Sequence, residues 1–415
     1  MRFVHASDLH LDSPLRGLAR YEGAPVEAIR GATRLALEQI VELCIGEDAQ
    51  LLLIAGDVYD GDWKDYSTGL FFAGQMSRLR HAGIRVVMLR GNHDASSQIT
   101  RHLRLPDNVV ELSTKKPVTH VFEDIGVAVH GQGFATRVVD QDLAANYPAA
   151  VAGLFNIGLL HTSVSGRPGH EPYAPCSIET LKNLAYDYFA LGHVHQREVL
   201  SEKPWVVFSG NPQGRHMAET GAKGVTLVQT EEQRVISVEH RDTDVVRFEQ
   251  LKVEVSSVRA AEEVPERVLL ALEEVSAAAQ GRTVAVRLIL SGRTVAHGAL
   301  TSDPQRWEQE LRSVANDVGG DGLWIEKISF RTQGQYDRER LAQRDDAIGQ
   351  LVRSLTSLHS DEQRLDSLLQ EFTSLRLPAE VREMASISTP DDLRAVLGDV
   401  QEMLLARLLD HAEDA

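Results

Sequence analysis

Leu51-Leu52-Leu53-Ile54-Ala55 runs into Gly56-Asp57, and Val86-Val87-Met88-Leu89 runs, through Arg90, into Gly91-Asn92-His93-Asp94. Short apolar runs without polar alternation, rich in leucine, valine and isoleucine, read as strands buried on both faces, as in a parallel sheet covered by helices. Working outward, Phe3-Val4 precedes Asp8-Leu9-His10, Ile157-Gly158-Leu159-Leu160 precedes His161, and Tyr188-Phe189-Ala190-Leu191 precedes Gly192-His193-Val194-His195. Five strands are thus expected to deliver carboxylate, amide and imidazole groups to one rim of a sheet.

Such a donor set suits two divalent metals and implies hydrolysis of phosphate esters. Cleaving a phosphodiester at neutral pH needs a nucleophile and a counter-charge for the phosphoryl oxygens. Two metals about 3.5 to 4 Å apart supply both, through a bridging hydroxide and an electrostatic clamp. One ligand must then be shared, and Asp57 suits the role: a carboxylate has two oxygens, and Gly56 lets the chain turn sharply at the strand end. Mixed His, Asp and Asn ligation is intermediate in softness, which favours manganese or iron over calcium or an all-oxygen magnesium site. Manganese is the expected ion. The inference needs all five islands, since a lone Asp-x-His is common and Gly-Asn-His-Asp alone reads as a tight turn before a helix.

The five islands resemble the five signatures of the calcineurin-like metallophosphoesterase superfamily. His5-Ala6-Ser7-Asp8-Leu9-His10-Leu11-Asp12 is similar to its DNA-repair nuclease branch, which includes the SbcD and YhaO-like bacterial proteins. The likeness covers residues 1 to about 240, extends more loosely to about 335 and fades in the C-terminal helices. It implies that Asp8, His10, Asp57 and His195 hold one metal and Asp57, Asn92, His161 and His193 the other. It also implies that His93, off the metals, contacts the scissile phosphate and stabilises or protonates the leaving oxygen, with Asp94 orienting its ring. Some members carry a histidine three residues after the bridging aspartate, where this chain has Asp60, as bacterial relatives of this branch often do. Protein Ser/Thr phosphatases of the superfamily show an arginine in the next position; here it is Gly61, which counts against that reading.

Apolar strands alternate with amphipathic helices at 26–45 and 68–83, then give way after His195 to short strands at 204–208, 224–229 and 234–239. This pattern fits an α/β (α+β) fold, and the resemblance implies two sheets sandwiched by helices over residues 1–240. Within it Ser209-Gly210-Asn211-Pro212-Gln213-Gly214-Arg215-His216 is a turn-rich loop. Gln213, Arg215 and His216 are its candidates for lining a substrate cleft. Residues 241–335 read as strand 248–255, helix 260–278, strand 283–290, helix 304–316 and strand 323–330, a small α+β cap or DNA-binding unit. Residues 336–415 read as helical, with apolar positions at Leu341, Ile348, Leu351, Leu355 and Leu358 and at Leu365, Leu368, Leu369, Phe372 and Leu375. Thr389-Pro390-Asp391-Asp392 announces a last helix.

Sixty acidic against 43 basic residues give a net charge of −17, an objection to a DNA enzyme. The deficit is concentrated in the tail, where 9 basic face 17 acidic residues over 336–415. At the site, two divalent ions would add four positive charges while Asp8 and Asp57 return two, leaving it locally positive. Unaided DNA affinity should still be modest and salt-sensitive, so a partner is implied. The branch resemblance names its class, an SMC-like coiled-coil ATPase docked by the C-terminal helices, and allows a homodimer. The two cysteines, Cys44 and Cys176, form no Cys-x-x-Cys pattern and argue for a reducing compartment. With no leader pattern and no apolar run of about 18 residues, a cytoplasmic protein without a membrane anchor is expected. The leading expectation is a two-metal DNA nuclease, exonuclease or endonuclease, acting in DNA repair. The alternatives are a metallophosphoesterase acting on a nucleotide, lipid pyrophosphate or phosphoprotein, and a non-catalytic DNA-binding scaffold.

Overall fold

The computed structural model describes residues 1–13, 26–60, 66–96, 103–164, 174–336, 338–374 and 389–413. It divides into two compact units, Met1–Glu249 with Ala279–Ala285, and Gln250–Ala278 with Val286–Ala415.

In the first unit β1 (Arg2–Ala6), α1 (Val26–Gly46), β2 (Leu51–Ala55), α2 (Tyr66–His81), β3 (Arg85–Leu89) and the short α3 (Asn92–Ser96) alternate strand with helix. They are followed by β4 (Val109–Glu111), β5 (Val118–Phe122), β6 (Val127–Gly131), β7 (Phe155–His161), α4 (Ile178–Asn183) and β8 (Tyr188–Gly192). The unit's strands continue with β9 (Glu198–Glu202), β10 (Trp205–Phe208), β11 (Gly224–Glu231) and β12 (Arg234–Asp242). Two six-stranded sheets result, in the orders β12-β11-β1-β2-β3-β4 and β5-β6-β7-β8-β10-β9. β1 to β4 run parallel, and so do β6, β7, β8 and β10; the antiparallel strands lie toward the edges. All the ligand-bearing strands therefore end on the same side of their sheets.

Alternation along β2 explains the layers. Leu51, Leu53 and Ala55 join Phe3, Val87, Ile157, Leu159, Tyr188 and Val207 in the core between the sheets. Leu52 and Ile54 point the other way, onto Leu37, Ile40 and Val41 of α1 and Phe72, Met76 and Leu79 of α2. The outer face of the second sheet, with Leu160, Phe189, Leu191 and Phe208, is covered by Leu181 of α4 and by Phe134 and Tyr147. Each such side chain contributes about 1.5 to 3 kcal/mol by leaving water. Burial on both faces is why β2 is apolar at every position and β3, β7 and β8 are largely so. β4, β5 and β9 carry no such signal, because none of their residues is fully buried.

A three-stranded sheet follows, in the order β13 (Val246–Glu254), β14 (Thr283–Thr294), β15 (Leu323–Gly334), with α5 (Val264–Ala278), α6 (His297–Ser302) and α7 (Pro304–Gly319). On α7, Asp303 caps the first turn through Arg306 N–H, and Trp307, Leu311 and Ala315 form a buried stripe at four-residue spacing. The tail holds α8 (Arg338–Ala342), α9 (Ala347–Ser360), α10 (Glu362–Ser374) and α11 (Pro390–Glu413). α11 opens on a reciprocal capping box, Thr389 Oγ1 accepting from Asp392 N–H (3.2 Å) and Asp392 Oδ2 from Thr389 N–H (2.9 Å). Leu341, Ile348, Val352 and Leu405 form one small core, and α11 packs on α6, α9 and α10. Leu365 is buried, whereas Leu351, Leu355, Leu358, Leu368 and Leu369 are half-buried; the Phe372 side chain and Leu375 lie outside the described residues. No helix among the described residues is long and apolar enough to cross a membrane.

Candidate metal centre

The strand ends bring the ligand candidates together. Asp8 and His10 follow β1, Asp57 follows β2, Asn92 and His93 open α3 after β3, His161 is the last residue of β7, and His193 and His195 follow β8. Pairing of His161 with Gly192 sets β7 and β8 in register, so His193 leaves the sheet beside His161, ring centroids 5.2 Å apart. Donor atoms of Asp8, His10 and His195 lie within 4.8 Å of one another, as do those of Asp8, Asp57 and His161. Asp8 is common to both clusters. His161 Nε2 also lies 2.8 Å from Asn92 Oδ1 and 3.4 Å from Asp57 Oδ2.

The hydrogen bonds behind these ligands test whether metals would fit. His161 Nδ1 lies 2.9 Å from the Ala55 carbonyl, which can only accept, so Nδ1 carries a proton and Nε2 is the nitrogen turned toward Asp57. His195 Nδ1 lies 2.7 Å from Glu219 Oε1, so its Nε2 lone pair faces Asp8 and His10 Nε2, at 3.7 and 3.3 Å. Two imidazole nitrogens facing one another beside a buried carboxylate are what a shared cation would reconcile. The donor set therefore fits divalent metals.

Electrostatics point the same way. Burial opposes the charge on Asp57, but His161, His10 and His93 outweigh it and hold the carboxyl well below its usual range. Burial likewise opposes a charge on His161, yet Asp57 and Asp8 raise it to about 9. His10 is pushed down by burial and by Arg215, toward the neutral form a ligand needs.

The backbone is bent to make these contacts. Asp8, His10, Asp57 and His193 all sit at positive φ, 54°, 42°, 54° and 100°, a region costly for residues with a Cβ. Such strain persists because the sheets on either side over-determine it. At Gly91 a Cβ would fall on the Asp57 carboxylate, so only glycine admits the approach.

A cleft of about 410 Å³ opens over the site, and its lining includes Asp57, Asn92, His93, His193 and His195 together with Arg137, Glu219 and Lys223. Residues 1–197 match the family model of calcineurin-like phosphoesterases, and residues 248–333 match the middle domain of metallophosphoesterase YhaO. An uncharacterized metallophosphoesterase YhaO from Bacillus subtilis (strain 168) is 33% identical over 299 residues, 70% of this chain and 72% of the relative. The chain belongs to the calcineurin-like metallophosphoesterases. Two solved structures overlap only partly: a Thermus thermophilus protein, 14% identical over 58% of this chain and 98% of its own, and a Danio rerio dimetal phosphatase, 12% identical over 59% and 96%, each with a TM-score of 0.35. As a metallophosphoesterase the protein is a metal-dependent phosphoester hydrolase, of a family that binds two divalent ions.

Several sequence expectations need correction in this metallophosphoesterase. Asp94 does not orient His93. Its two carboxylate oxygens accept backbone N–H groups of Val58, Tyr59 and Gly91 (3.2, 3.0 and 3.1 Å), tying α3 to the turn after β2, while burial and Asp57 push it up to about 7. The neighbour of His93 is Asp60, 2.7 Å from Nδ1 and also bonded by Ser13 Oγ at 2.6 Å. Burial lowers the His93 pKa, but Asp60 and Asp57 raise it further, a net upward shift that suits a proton donor. Gln213 does not line the cleft: it is buried, its amide donating to the Gly214 and Val246 carbonyls and accepting from Val245 and Val246 N–H. His216 is 53% exposed and is not among the cleft residues. Arg215 stands one layer back, against Glu219 and His195.

Glu219, Lys223 and Arg137 carry no motif in the sequence. Glu219 follows three residues after His216, and only folding of the loop returns it to His195. Lys223 donates to the His195 carbonyl at 3.1 Å and is pushed down by burial against the pull of Glu219 and Asp244.

Proposed function

We propose that this metallophosphoesterase cleaves DNA phosphodiester bonds with two manganese ions. Asp8, His10, Asp57 and His195 hold one ion and Asp57, Asn92, His161 and His193 the other. When bound, the ions supply an activated water and a positive field for the phosphoryl oxygens. His93, held by Asp60 at 2.7 Å, hands its proton to the leaving oxygen. Arg137 and Lys223 line the same cleft and add positive charge where a phosphate would lie. The single observation that carries the reading is the set of ligand side chains at five strand ends with His93 beside them. In the SbcD-like branch the C-terminal helices dock a coiled-coil ATPase; α9 to α11 are proposed to do so here, and a homodimer and a cytoplasmic location are part of the same reading. Cys44 and Cys176, both buried thiols, support a reducing compartment.

The test is hydrolysis of linear DNA and of a small chromogenic phosphodiester with manganese, with magnesium and with chelator. Cleavage of both substrates, faster with manganese and abolished by chelator, is expected. The acidic balance of 60 to 43 favours a second reading, a small phosphoester or nucleotide substrate. Turnover of the chromogenic substrate with intact DNA at every salt concentration would select it.

A further inference from the structure

His195 lies between two groups that demand opposite tautomers. Glu219 Oε1, 2.7 Å from His195 Nδ1, is a carboxylate and accepts only. Arg215 Nη2, 3.1 Å from the same Nδ1, donates only. If Nδ1–H donates to Glu219, the Nε2 lone pair is free to face Asp8 and His10. If Arg215 donates to Nδ1, Nε2 must carry the proton and cannot bind a cation. The shorter contact is with Glu219, which also takes up Arg215 itself: Nη2 donates to Oε1 at 3.0 Å and the Arg215 backbone N–H to Oε2 at 2.8 Å. Asn211 Nδ2 donates to Oε2 at 2.9 Å, so the buried carboxylate is held from three sides.

We infer that Glu219 is a positioning residue that fixes His195 in its cation-binding tautomer and keeps Arg215 from imposing the other. The inference rests on the reading of His195 as a metal ligand. Carboxylate partners behind a metal-bound histidine typically affect metal affinity 10- to 100-fold. The Arg215 opposition adds a consequence that an ordinary structural role lacks. Once the carboxylate is gone, removing Arg215 should help rather than harm.

Manganese stoichiometry and affinity, measured by calorimetry and by metal content on the full chain, test this. Wild type should bind two ions and His195→Ala one. Glu219→Gln should lose about 10- to 100-fold in affinity at one of the two sites. Arg215→Met should bind both ions as wild type does, and Glu219→Gln/Arg215→Met should recover most of the loss. A Glu219→Gln variant that keeps both ions at wild-type affinity, beside a His195→Ala variant that has lost one, overturns the inference alone. A double variant no better than Glu219→Gln also overturns it. Two ions retained by His195→Ala would instead remove the metal assignment beneath it. The nitrogen-15 spectrum of His195 in the wild-type chain gives a readout independent of variant folding: Nδ1–H is expected, and Nε2–H overturns the inference.

Discussion

The two rims of the cleft are built by different means. One consists of the ligand candidates at the ends of buried strands, of which Asp8, His10, Asp57 and His193 sit at positive φ between the sheets. The other is the loop from Ser209 to Lys223, whose Glu219 and Lys223 side chains reach His195 through hydrogen bonds at 2.7 and 3.1 Å, with Arg137 also in the cleft lining. The first rim derives its precision from the core: moving Asp57 would disturb Leu53 and Ala55, which are buried between the sheets. The second can be edited one residue at a time. Strand-end substitutions should therefore abolish metal binding or activity outright, whereas loop substitutions should grade them.

The largest effect is expected at Asp57. Asp57→Asn removes charge from the carboxylate that His161 Nε2 approaches at 3.4 Å and whose Oδ1 accepts the His93 backbone N–H at 2.9 Å. Manganese content should fall and turnover should drop on the order of 10⁴-fold, as when one member of a catalytic unit is lost. Gly91→Ala should approach the same loss without replacing any ligand candidate, because its Cβ collides with that carboxylate. An active, metal-replete Gly91→Ala enzyme would show that this rim is less rigid than proposed.

Next in size is His93. His93→Ala should keep both manganese ions and lower turnover about 10²- to 10⁴-fold, the usual worth of a positioned proton donor. Asp60→Asn should cost less, about tenfold to 10²-fold by loss of ring orientation. Asp94→Asn separates scaffold from chemistry, since the Asp94 carboxylate ties three backbone N–H groups. It should lower thermal stability first and activity only as a consequence. Loss of activity with unchanged melting would return Asp94 to the chemistry.

The contrast between rims also explains what could be read in the chain. Asp8, His10, Asp57, Asn92, His161, His193 and His195 could be picked out as ligand candidates because each lies at or just after the end of a buried, largely apolar strand. The helices at 26–46, 66–81 and 304–319 were legible for the related reason that each buries one stripe. Asp94 misled because neighbours in sequence at the start of a helix point in different directions, so Asp94 turns into the core while His93 faces Asp60. Gln213 misled because a turn-rich loop looks exposed, although its amide satisfies four backbone groups that would otherwise be buried without partners. Glu219 and Arg137 lie far from any strand end, and only tertiary structure places them at the cleft.

A smaller, graded effect concerns pH. His161 is raised from 6.5 to about 9 by the opposing charge of Asp57, despite burial. A metal at Nε2 must displace that proton, so below pH 9 binding releases up to one proton per chain and affinity should rise with pH, about tenfold per unit between 7 and 9. The charged pair also stabilises the chelated protein below pH 6.5, and this contribution is lost as pH rises through about 9. Its melting temperature should accordingly fall over that interval while that of the manganese-loaded protein holds. Calorimetry in buffers of different ionisation enthalpy measures the proton release. A flat affinity from pH 7 to 9 would mean that His161 is already neutral before the metal arrives.

The smallest effect belongs to the loop rim. Arg137 is exposed and lines the cleft, on the segment between β6 and β7. A guanidinium there would add a charge-assisted contact to a phosphate outside the reacting one, worth about 1.5 to 3 kcal/mol if fully made and less in water-exposed surroundings. Arg137→Ala should then raise KM for an oligonucleotide by about three- to tenfold, with kcat near wild type, because a contact made equally in ground and transition states affects binding alone. A chromogenic phosphodiester has no second phosphate and should be hydrolysed at the wild-type rate. If kcat falls for both substrates, Arg137 acts on the reacting phosphoryl group and the loop rim takes part in the chemistry. If neither parameter moves, the positive charge that draws in the substrate comes from the metals and Lys223.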